Sequence, residues 1–242
     1  MPLRKLELTK SVMGNTSTFH PALIYDDNAA ALADTGLPGT FGQLREQVEL
    51  AGVPLDRLSQ VILTHQDIDH IGGLPELAHG REKPLEVRAH AADKPYIDGT
   101  KPLIKLNAQR LAALTQGLAD GELARFERMF SPATAPNVNR TLADGDTLDV
   151  DGGVVVIHTP GHTPGHVSLY HRRTKTLIAG DAMVVSEGRL MGPAPAMTPD
   201  MDSALRSLGK LAAFDIERVL CYHGGWFEGN ANDRIAELAS GS

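Results

Sequence analysis

Four side chains that can bind a divalent metal ion lie within six residues of one another, directly after a short apolar stretch. The apolar stretch covers residues 61–63, and the ligand-rich segment covers residues 64–70. Imidazole nitrogens and carboxylate oxygens are the groups from which proteins build sites for divalent metals. Because loops at strand ends often carry chemistry, the segment predicts a metal site and not a solvated polar turn. Its four candidate ligands are His65, Asp67, Asp69 and His70.

Three later segments end in the same way, with a histidine or an aspartate after a short apolar run. Buried strands are predicted at residues 154–157, 176–178 and 218–221. The ligands that follow them are His162, Asp181 and His223. We expect four strand ends to present these side chains to one rim of the protein.

The ordered set of ligands resembles the metallo-β-lactamase fold hydrolases. Their motif H-x-H-x-D-H, followed by a distant His, an Asp and a last His, is matched in order by His65, Asp69, His70, His162, Asp181 and His223. One position departs from the pattern, because Asp67 stands where the family usually has its second His. Residues 34–36 resemble the family's early D-T-G turn, so the resemblance extends from about residue 20 to residue 225.

The resemblance implies an α/β fold, namely an αββα four-layer sandwich of two mixed β-sheets with helices outside. The periodicity of the apolar residues alone predicts only a mixed α and β protein. No linker or short repeat interrupts the 242 residues, so we expect one domain over residues 1–242. A helical insert is expected at about residues 95–131, where it either forms a wall of the site or only covers the core or a dimer contact.

Further elements are predicted from periodicity and from the signals at helix ends. Strands are expected at residues 4–9, 22–26, 29–33 and 216–221, and helices at residues 40–51, 102–118, 120–130, 198–214 and from about 233. Thr40 and Thr198 are the expected caps of their helices. In the helix at 40–51, Leu44, Val48 and Leu50 are expected to face the core.

The resemblance also implies how the ligands are divided between two divalent metal ions. His65, Asp67 and His162 would hold the first ion, Asp69, His70 and His223 the second, and Asp181 would bridge them. Such ions would make water available for attack on the carbonyl of a lactone or an ester without a protein nucleophile, since coordination to a metal lowers the pKa of water from about 16 toward about 7. Asp69 and Asp181 are the expected catalytic carboxylates. Tyr222 either donates a hydrogen bond to a substrate oxygen or packs with its hydroxyl on the backbone.

Asp67 changes the charge and the hardness of the expected centre. Two dications are formally balanced by Asp67, Asp69, Asp181 and one hydroxide, which predicts a neutral substrate. A carboxylate is also a harder ligand than imidazole and moves the preference from zinc toward manganese or iron. The alternative is that Asp67 does not bind metal and that only one ion is held well.

Three further side chains are assigned roles around the ligands. Asp34 is expected to orient a metal-binding histidine through a hydrogen bond. His166 is expected to enter the next strand and to support the site. Cys221 is the only cysteine, which rules out an intrachain disulfide, and its place at a strand end favours a small buried role over that of a nucleophile.

Charge and composition narrow the list of partners. The formal net charge is −7 and no block of Lys or Arg is present, so a nucleic-acid partner is not expected. No stretch approaches the about 18 apolar residues of a membrane span, and the first residues lack the apolar centre of a signal peptide. We therefore expect a cytoplasmic protein that acts on a small molecule, away from membranes, with a homodimer left open.

Several activities of the resembling family are compatible with these residues. Lactonases that open N-acyl homoserine lactones fit best in size and location. Glyoxalase II enzymes share the T-P-G-H-T-x-G-H run of residues 159–166 but add a C-terminal domain for the glutathione thioester, and fewer than twenty residues follow His223. Flavodiiron proteins place a carboxylate at the position of Asp67 and carry out redox chemistry with two irons, which here needs a separate electron donor. The sequence thus predicts a metal-dependent hydrolase and leaves these alternatives open.

Overall fold

The computed structural model describes residues 2–12, 14–131 and 136–240 of the chain. Sixteen strands and eight α-helices lie within those residues. The strands are β1 (Leu3–Lys5), β2 (Leu8–Val12), β3 (Asn15–Phe19), β4 (Ala22–Tyr25), β5 (Ala30–Ala33), β6 (Leu58–Ile62), β7 (Glu86–His90), β8 (Arg140–Leu142), β9 (Thr147–Leu148), β10 (Val154–His158), β11 (Val167–His171), β12 (Thr176–Gly180), β13 (Val184–Ser186), β14 (Arg189–Met191), β15 (Arg218–Cys221) and β16 (Gly225–Glu228). The helices are α1 (Phe41–Leu50), α2 (Ile68–Ile71), α3 (Leu74–Ala78), α4 (Lys94–Ile97), α5 (Ala108–Thr115), α6 (Asp120–Met129), α7 (Met201–Leu211) and α8 (Ala231–Ser240).

Two mixed sheets of six strands each form the centre of the described fold. The first has the order β1-β4-β5-β6-β7-β8 and changes from antiparallel to parallel pairing at β5. The second has the order β16-β15-β12-β11-β10-β9, and β12 and β15 are its parallel pair. The hairpins β2–β3 and β13–β14 stand apart from both sheets.

Burial on both faces explains why the central strands are continuous apolar runs. Successive residues of a strand point to opposite faces. In β10, Val154 and Val156 lie in the apolar layer between the two sheets, whereas Val155 and Ile157 lie in the layer that includes α7 and α8. Leu32 of β5 lies in a third apolar layer, between the first sheet and the helices that follow it. The αββα four-layer sandwich of two mixed sheets is therefore confirmed.

Two of the predicted helices begin later than expected, because other side chains cap them. The segment predicted to be helical over residues 102–118 is a helix only in α5, and the Asn107 side chain caps it by accepting the amide three residues on (2.8 Å). The helix predicted from Thr198 is α7, and Asp200 caps it in the same way (2.9 Å). Asn and Asp are both strongly preferred at this position.

Two predictions near the N-terminus were also wrong in part. The strand predicted at residues 4–9 is divided between β1 and β2, and β3 was not predicted, since four of its five residues are exposed and polar. In α1, Leu44 and Val48 are buried as predicted, but Leu50 is 74% exposed. Leu50 lies two residues beyond Val48, which is about 200° around a helix.

The segment predicted as an insert has two roles in the fold. Arg125 of α6 forms a bidentate ion pair with Glu76 of α3, with N–O distances of 2.6 and 2.8 Å. Phe126 is buried in the apolar layer between the first sheet and its helices. Helix α5 instead lines a cavity beside the ligand segment. One helix therefore covers core and the other forms a wall, and its origin as an insert stays a prediction. Within the described residues, none of the helices has the length and apolar character that a bilayer span requires.

Candidate metal centre

All seven predicted ligands meet at one edge of the sandwich, each just beyond the end of a strand. The segment after β6, including α2, supplies four of them, and the segments after β10, β12 and β15 supply one each. Their donor atoms form three overlapping groups in which all distances are within 4.8 Å. The groups are His65, Asp67 and His162, then His65, His70 and Asp181, then Asp69, His70 and His223.

Asp181 lies between two clusters of ligands. We call His65, Asp67 and His162 the first cluster and Asp69, His70 and His223 the second cluster. Oδ2 of Asp181 is 3.3 Å from Nε2 of both His162 and His223, and its Oδ1 is 3.3 Å from Nε2 of His70. This placement agrees with the division that the resemblance implied, and the binding of metal by these residues stays a prediction.

The second cluster has the spacing and the free donors that a divalent metal ion requires. Nε2 of His223 lies 3.3 Å from an oxygen of Asp69 and 3.3 Å from an oxygen of Asp181. Ligand atoms about 3.3–3.4 Å apart form the edge of a tetrahedron whose metal–ligand bonds are about 2.0–2.1 Å long. Nε2 of His70 and Oδ1 of Asp181 are buried and have no hydrogen-bond partner in the described part of the chain. These residues fit a bound metal ion.

The first cluster differs, because the side chain of Lys105 reaches into it. Its Nζ lies 2.6 Å from Oδ2 of Asp67 and 2.6 Å from Nε2 of His162. It also donates to the backbone carbonyls of His162 (3.1 Å) and Met197 (3.2 Å). Two of the three ligands are therefore already engaged by a cation, and the first cluster does not fit a metal ion while Lys105 stays in place.

Comparison with known proteins assigns the chain to one family. The sequence model of the protein family described as "Metallo-beta-lactamase superfamily" matches residues 21–223. The chain belongs to this superfamily. It is 28% identical over 250 residues to the "probable metallo-hydrolase YflN" of Bacillus subtilis, a match that covers 97% of this chain and 92% of the relative. The superfamily hydrolase predicted from the sequence is thereby confirmed.

Other members of the superfamily are similar over part of their length or in fold. A hydroxyacylglutathione hydrolase of Pseudomonas paraeruginosa is 29% identical over 178 residues, which is 72% of this chain but 50% of that enzyme. A metallo-beta-lactamase family protein of Thermus thermophilus, TTHA1429, superposes with a TM-score of 0.70 at 24% identity, over 99% of this chain and 79% of that one. A metallo-beta-lactamase from Pontibacter korlensis gives 0.68 at 17% identity, over 100% and 96%. These two structures support the fold alone.

Asp34, in the D-T-G turn of this superfamily member, orients His70 as predicted. One oxygen of its carboxylate lies 2.9 Å from Nδ1 of His70 and accepts a hydrogen bond from the Thr64 hydroxyl (2.8 Å), while the other accepts the Thr64 amide (2.8 Å). The backbone of Asp34 has a φ of 65°, a left-handed conformation in which Asp and Asn are enriched. With Nδ1 held in this way, the ring presents Nε2 to the centre of the cluster.

Asp93 was missed by the sequence reasoning, although it joins the two segments that carry the first cluster. Its carboxylate is 1% exposed and accepts the Gln66 amide (3.0 Å), the Thr163 hydroxyl (2.7 Å) and the Gly165 amide (2.7 Å). Gln66 lies within the early ligand segment, and Thr163 directly follows His162. One signal could have found Asp93, because it follows β7 just as the ligands follow their own strands.

His166 supports Asp181 from inside the protein, as predicted. Its Nε2 accepts the Asp181 amide (2.9 Å), and its Nδ1 pairs with the Thr159 hydroxyl (2.8 Å). Burial and the nearby His65 hold the pKa of His166 well below its ordinary value, so the ring is a neutral acceptor. A Cβ on Gly180 would lie 2.7 Å from Nε2, so glycine at that position leaves room for the hydrogen bond.

Tyr222 and Cys221 both have packing roles in the structure. The Tyr222 hydroxyl donates to the backbone carbonyl of Asp69, and its ring centroid lies 3.7 Å from that of His70. The structure thus favours the packed alternative for Tyr222 over a contact with substrate. Cys221 is fully buried, and burial raises the pKa of its thiol, so the predicted small buried role is confirmed.

The two clusters differ in the protonation of their histidines. Burial lowers the pKa of His223, but the carboxylates of Asp181 and Asp69 outweigh burial and raise the pKa to about 10. Burial likewise acts to lower the pKa of His70, and the surrounding carboxylates raise it well above its ordinary value. In the first cluster, burial lowers the pKa of His162. Without metal, the second cluster therefore carries imidazolium protons, whereas the first holds a neutral imidazole beside an ammonium.

Two cavities of several hundred Å³ in the described part of the chain open onto the ligands. The larger, of about 510 Å³, is lined by Asp69 and His223 and by the apolar side chains of Val12, Phe19, Leu37, Ala113 and Leu114. The smaller, of about 340 Å³, is lined by Asp67, Asp69, His162, Asp181 and His223 together with Val184, Ala194 and Met197. Arg110 lines both, and its guanidinium has no partner among the described residues. Lys105 and Arg110 were missed because both lie in the segment predicted as one continuous helix.

Proposed function

We propose that this chain hydrolyses a carboxylic ester or a lactone with a divalent metal ion held by the second cluster and Asp181. The observation that carries the proposal is the convergence of the free donors of His70 and Asp181 with His223, beside cavities large enough for a small organic molecule. When bound, a divalent ion lowers the pKa of coordinated water toward about 7 and polarises a carbonyl oxygen. N-acyl homoserine lactones are the narrower substrate class within this proposal.

We propose Asp69 as the side chain that receives the proton of the attacking water. Its carboxylate lines both cavities and lies 3.3 Å from Nε2 of His223. Burial acts to raise the pKa of Asp69, but the neighbouring His70 and His223 outweigh burial and lower it. An ionised carboxylate at the cavity surface is an acceptor that water can reach, as general base catalysis requires.

The lining of the larger cavity supports a neutral substrate with an apolar substituent. Five apolar side chains face that cavity, and the Lys10 ammonium at its edge already donates to the carbonyls of Pro38 and Leu114. The three carboxylates of Asp67, Asp69 and Asp181 are also balanced by one divalent ion and the Lys105 ammonium. An anionic reacting group on the substrate therefore gains little. Arg110 would select an anionic substituent instead, and its substitution separates the two cases.

Thioesters are the second candidate substrate class. Similarity to hydroxyacylglutathione hydrolases supports it, although the chain spans about half the length of those curated relatives. A thioester presents the same kind of carbonyl to the same ligands. A di-iron redox role is the alternative from another class, and turnover without any reductant would dismiss it.

The identity of the metal ion belongs to the same proposal. Zinc suits the histidines of the second cluster, whereas the carboxylates around the centre favour manganese or iron. Metal analysis of protein purified without added metal tests this choice. Zinc as the sole metal found would contradict the preference for the harder ions.

A panel of lactones, esters, thioesters and phosphodiesters tests the reaction itself. We expect steady turnover of a lactone or an ester, and a loss of about 10³-fold or more in kcat/KM for Asp181→Ala, because its carboxylate contacts both clusters. Asp27→Ala removes an exposed carboxylate away from the cavities and is expected to leave the rate unchanged. Wild-type activity in Asp181→Ala, or turnover of phosphodiesters alone, would contradict the proposal.

A further inference from the structure

Lys105 occupies the place where the superfamily resemblance implies the first metal ion. Its ammonium is surrounded by four acceptors, two from side chains and two from backbone carbonyls. The side chain is only 13% exposed. A buried ammonium is tolerated when it is paired and hydrogen-bonded, and Lys105 meets both conditions.

Contacts on both sides of Lys105 fix the backbone that positions this side chain. The amide of Ile104 donates to the side-chain oxygen of Gln66 (3.0 Å), which fastens the Lys105 segment to the early ligand segment. Leu103 and Leu106 pack against the core on either side, and Asn107 caps α5 immediately afterwards. Lys105 is therefore fixed from both directions, unlike a lysine on a solvated surface.

The positive charge of Lys105 compensates the negative charge of Asp67. The superfamily pattern stated above has a neutral His where this chain has Asp67, so the centre gains one negative charge, and Lys105 returns one positive charge. One dication and Lys105 together neutralise the three carboxylates of Asp67, Asp69 and Asp181. A second dication beside Lys105 would leave a surplus of two positive charges in a largely buried centre, which is costly.

We propose that Lys105 takes the place of the first metal ion, so that the chain binds a single divalent metal ion tightly, at the second cluster and Asp181. A second ion has to displace a buried ammonium from four acceptors, so we expect it to bind about 100-fold more weakly or worse. The inference concerns metal content and does not depend on which substrate is hydrolysed.

Titration of chelator-treated protein with Zn²⁺ counts the sites directly, by calorimetry and by competition with a coloured chelator. Wild-type protein is expected to take up one tight equivalent. The variant Lys105→Met keeps the apolar stem but removes the ammonium, and the double variant Asp67→His with Lys105→Met restores the H-x-H-x-D-H pattern. We expect two tight equivalents for the double variant. Lys101→Met is the matched control, because Lys101 lies in the same segment with its Nζ over the ring of Tyr96 (5.4 Å), and it is expected to keep one.

Two results would overturn the inference. One is wild-type protein that binds two zinc ions with affinities within tenfold of each other. The other is a folded double variant, by circular dichroism, that still has a single tight site. The wild-type titration needs no variant, so it decides the matter even if Lys105→Met does not fold. Failure to hydrolyse esters and lactones would contradict the proposed function and leave the zinc count unaffected.

Discussion

The two clusters of ligands hold different cations when no metal is bound. In the second cluster the cation is a proton on imidazole, since the pKa of His223 is raised to about 10 by Asp181 and Asp69 against the effect of burial. In the first cluster the cation is the ammonium of Lys105, 2.6 Å from Asp67. A proton leaves when a metal ion binds. In the first cluster, by contrast, a metal ion can bind only after the Lys105 side chain is withdrawn from its acceptors. The second cluster is therefore open to metal and the first is closed, although their ligands are similar and lie a few Å apart.

The clusters also differ in how their surroundings hold them. The second cluster is braced by charge, because the Asp34 carboxylate stands behind the ring of His70 (2.9 Å). The first cluster is braced through the backbone, because Asp93 accepts amides from both of its segments. Charge behind a ligand raises its affinity for metal, whereas a backbone tie fixes position. We therefore expect different results when each carboxylate is neutralised: a loss of zinc affinity for Asp34 and a loss of stability for Asp93.

Neutralising Asp34 is expected to have the largest effect on metal binding. Asn accepts the left-handed backbone of this position, so Asp34→Asn keeps the turn while removing the charge behind His70. We expect the zinc affinity of the tight site to fall by about 10- to 100-fold. Competition with a chelator measures it, with Asp27→Asn, on the exposed surface, as the matched control. An unchanged affinity would show that His70 does not depend on this carboxylate.

Proton release on metal binding is the next largest expected effect. The pKa of His223 in the metal-free protein is about 10, above its ordinary value of 6.5. Its contribution to stability is therefore fully present below pH 6.5 and is lost as the pH rises through about 10. Zinc must displace this proton, so its affinity should rise with pH across the same window, by up to about tenfold per pH unit.

Calorimetry in buffers of different ionisation enthalpy counts the protons released. We expect at least one proton per zinc ion at pH 7.5. His162, whose pKa is lowered by burial, carries no such proton and supplies the contrast between the clusters. Zinc binding with no proton release, and with an affinity independent of pH, would contradict the protonated state of the second cluster.

The convergence of the seven candidate ligands was predictable because their signals are local, whereas the four-layer sandwich was predicted from the family resemblance and not from periodicity. The early ligands stand within six residues, and the later ones each follow a short apolar run. Lys105 carries no such signal, since its partner His162 is 57 residues away and the spacing of the surrounding leucines indicates a helix. Asp93 contacts Thr163 at a separation of 70 residues. Contacts of this kind depend on how the two sheets pack, which a single sequence does not reveal.

Neutralising Asp93 should leave the tight site unaffected and loosen the first cluster. Asp93→Asn removes a charged acceptor from buried amide and hydroxyl donors, which costs about 1–3 kcal/mol. In a domain of this size, we expect a fall in Tm of about 2–4 °C for each kcal/mol. Zinc affinity at the tight site should stay within about threefold of wild type, because the side chains that Asp93 contacts belong to the segments of the first cluster and not to the ligands of the second. A large loss of zinc affinity would mean that the two clusters are braced as one unit.

Arg110 also carries a positive charge at this edge of the fold. Unlike Lys105, its guanidinium faces the cavities with no partner in the described part of the chain. For a neutral lactone or ester, Arg110→Gln is expected to change kcat/KM by less than about threefold, since a long exposed side chain contributes little without a charge to meet. For an ester that carries a carboxylate, KM should rise by about tenfold or more, because a hydrogen bond between charged groups contributes about 1.5–3 kcal/mol. Arg189→Gln, on the exposed hairpin β13–β14, is the control. A strong loss with the best neutral substrate would contradict this prediction, because it would show that Arg110 contributes to the reaction without a charged group on the substrate.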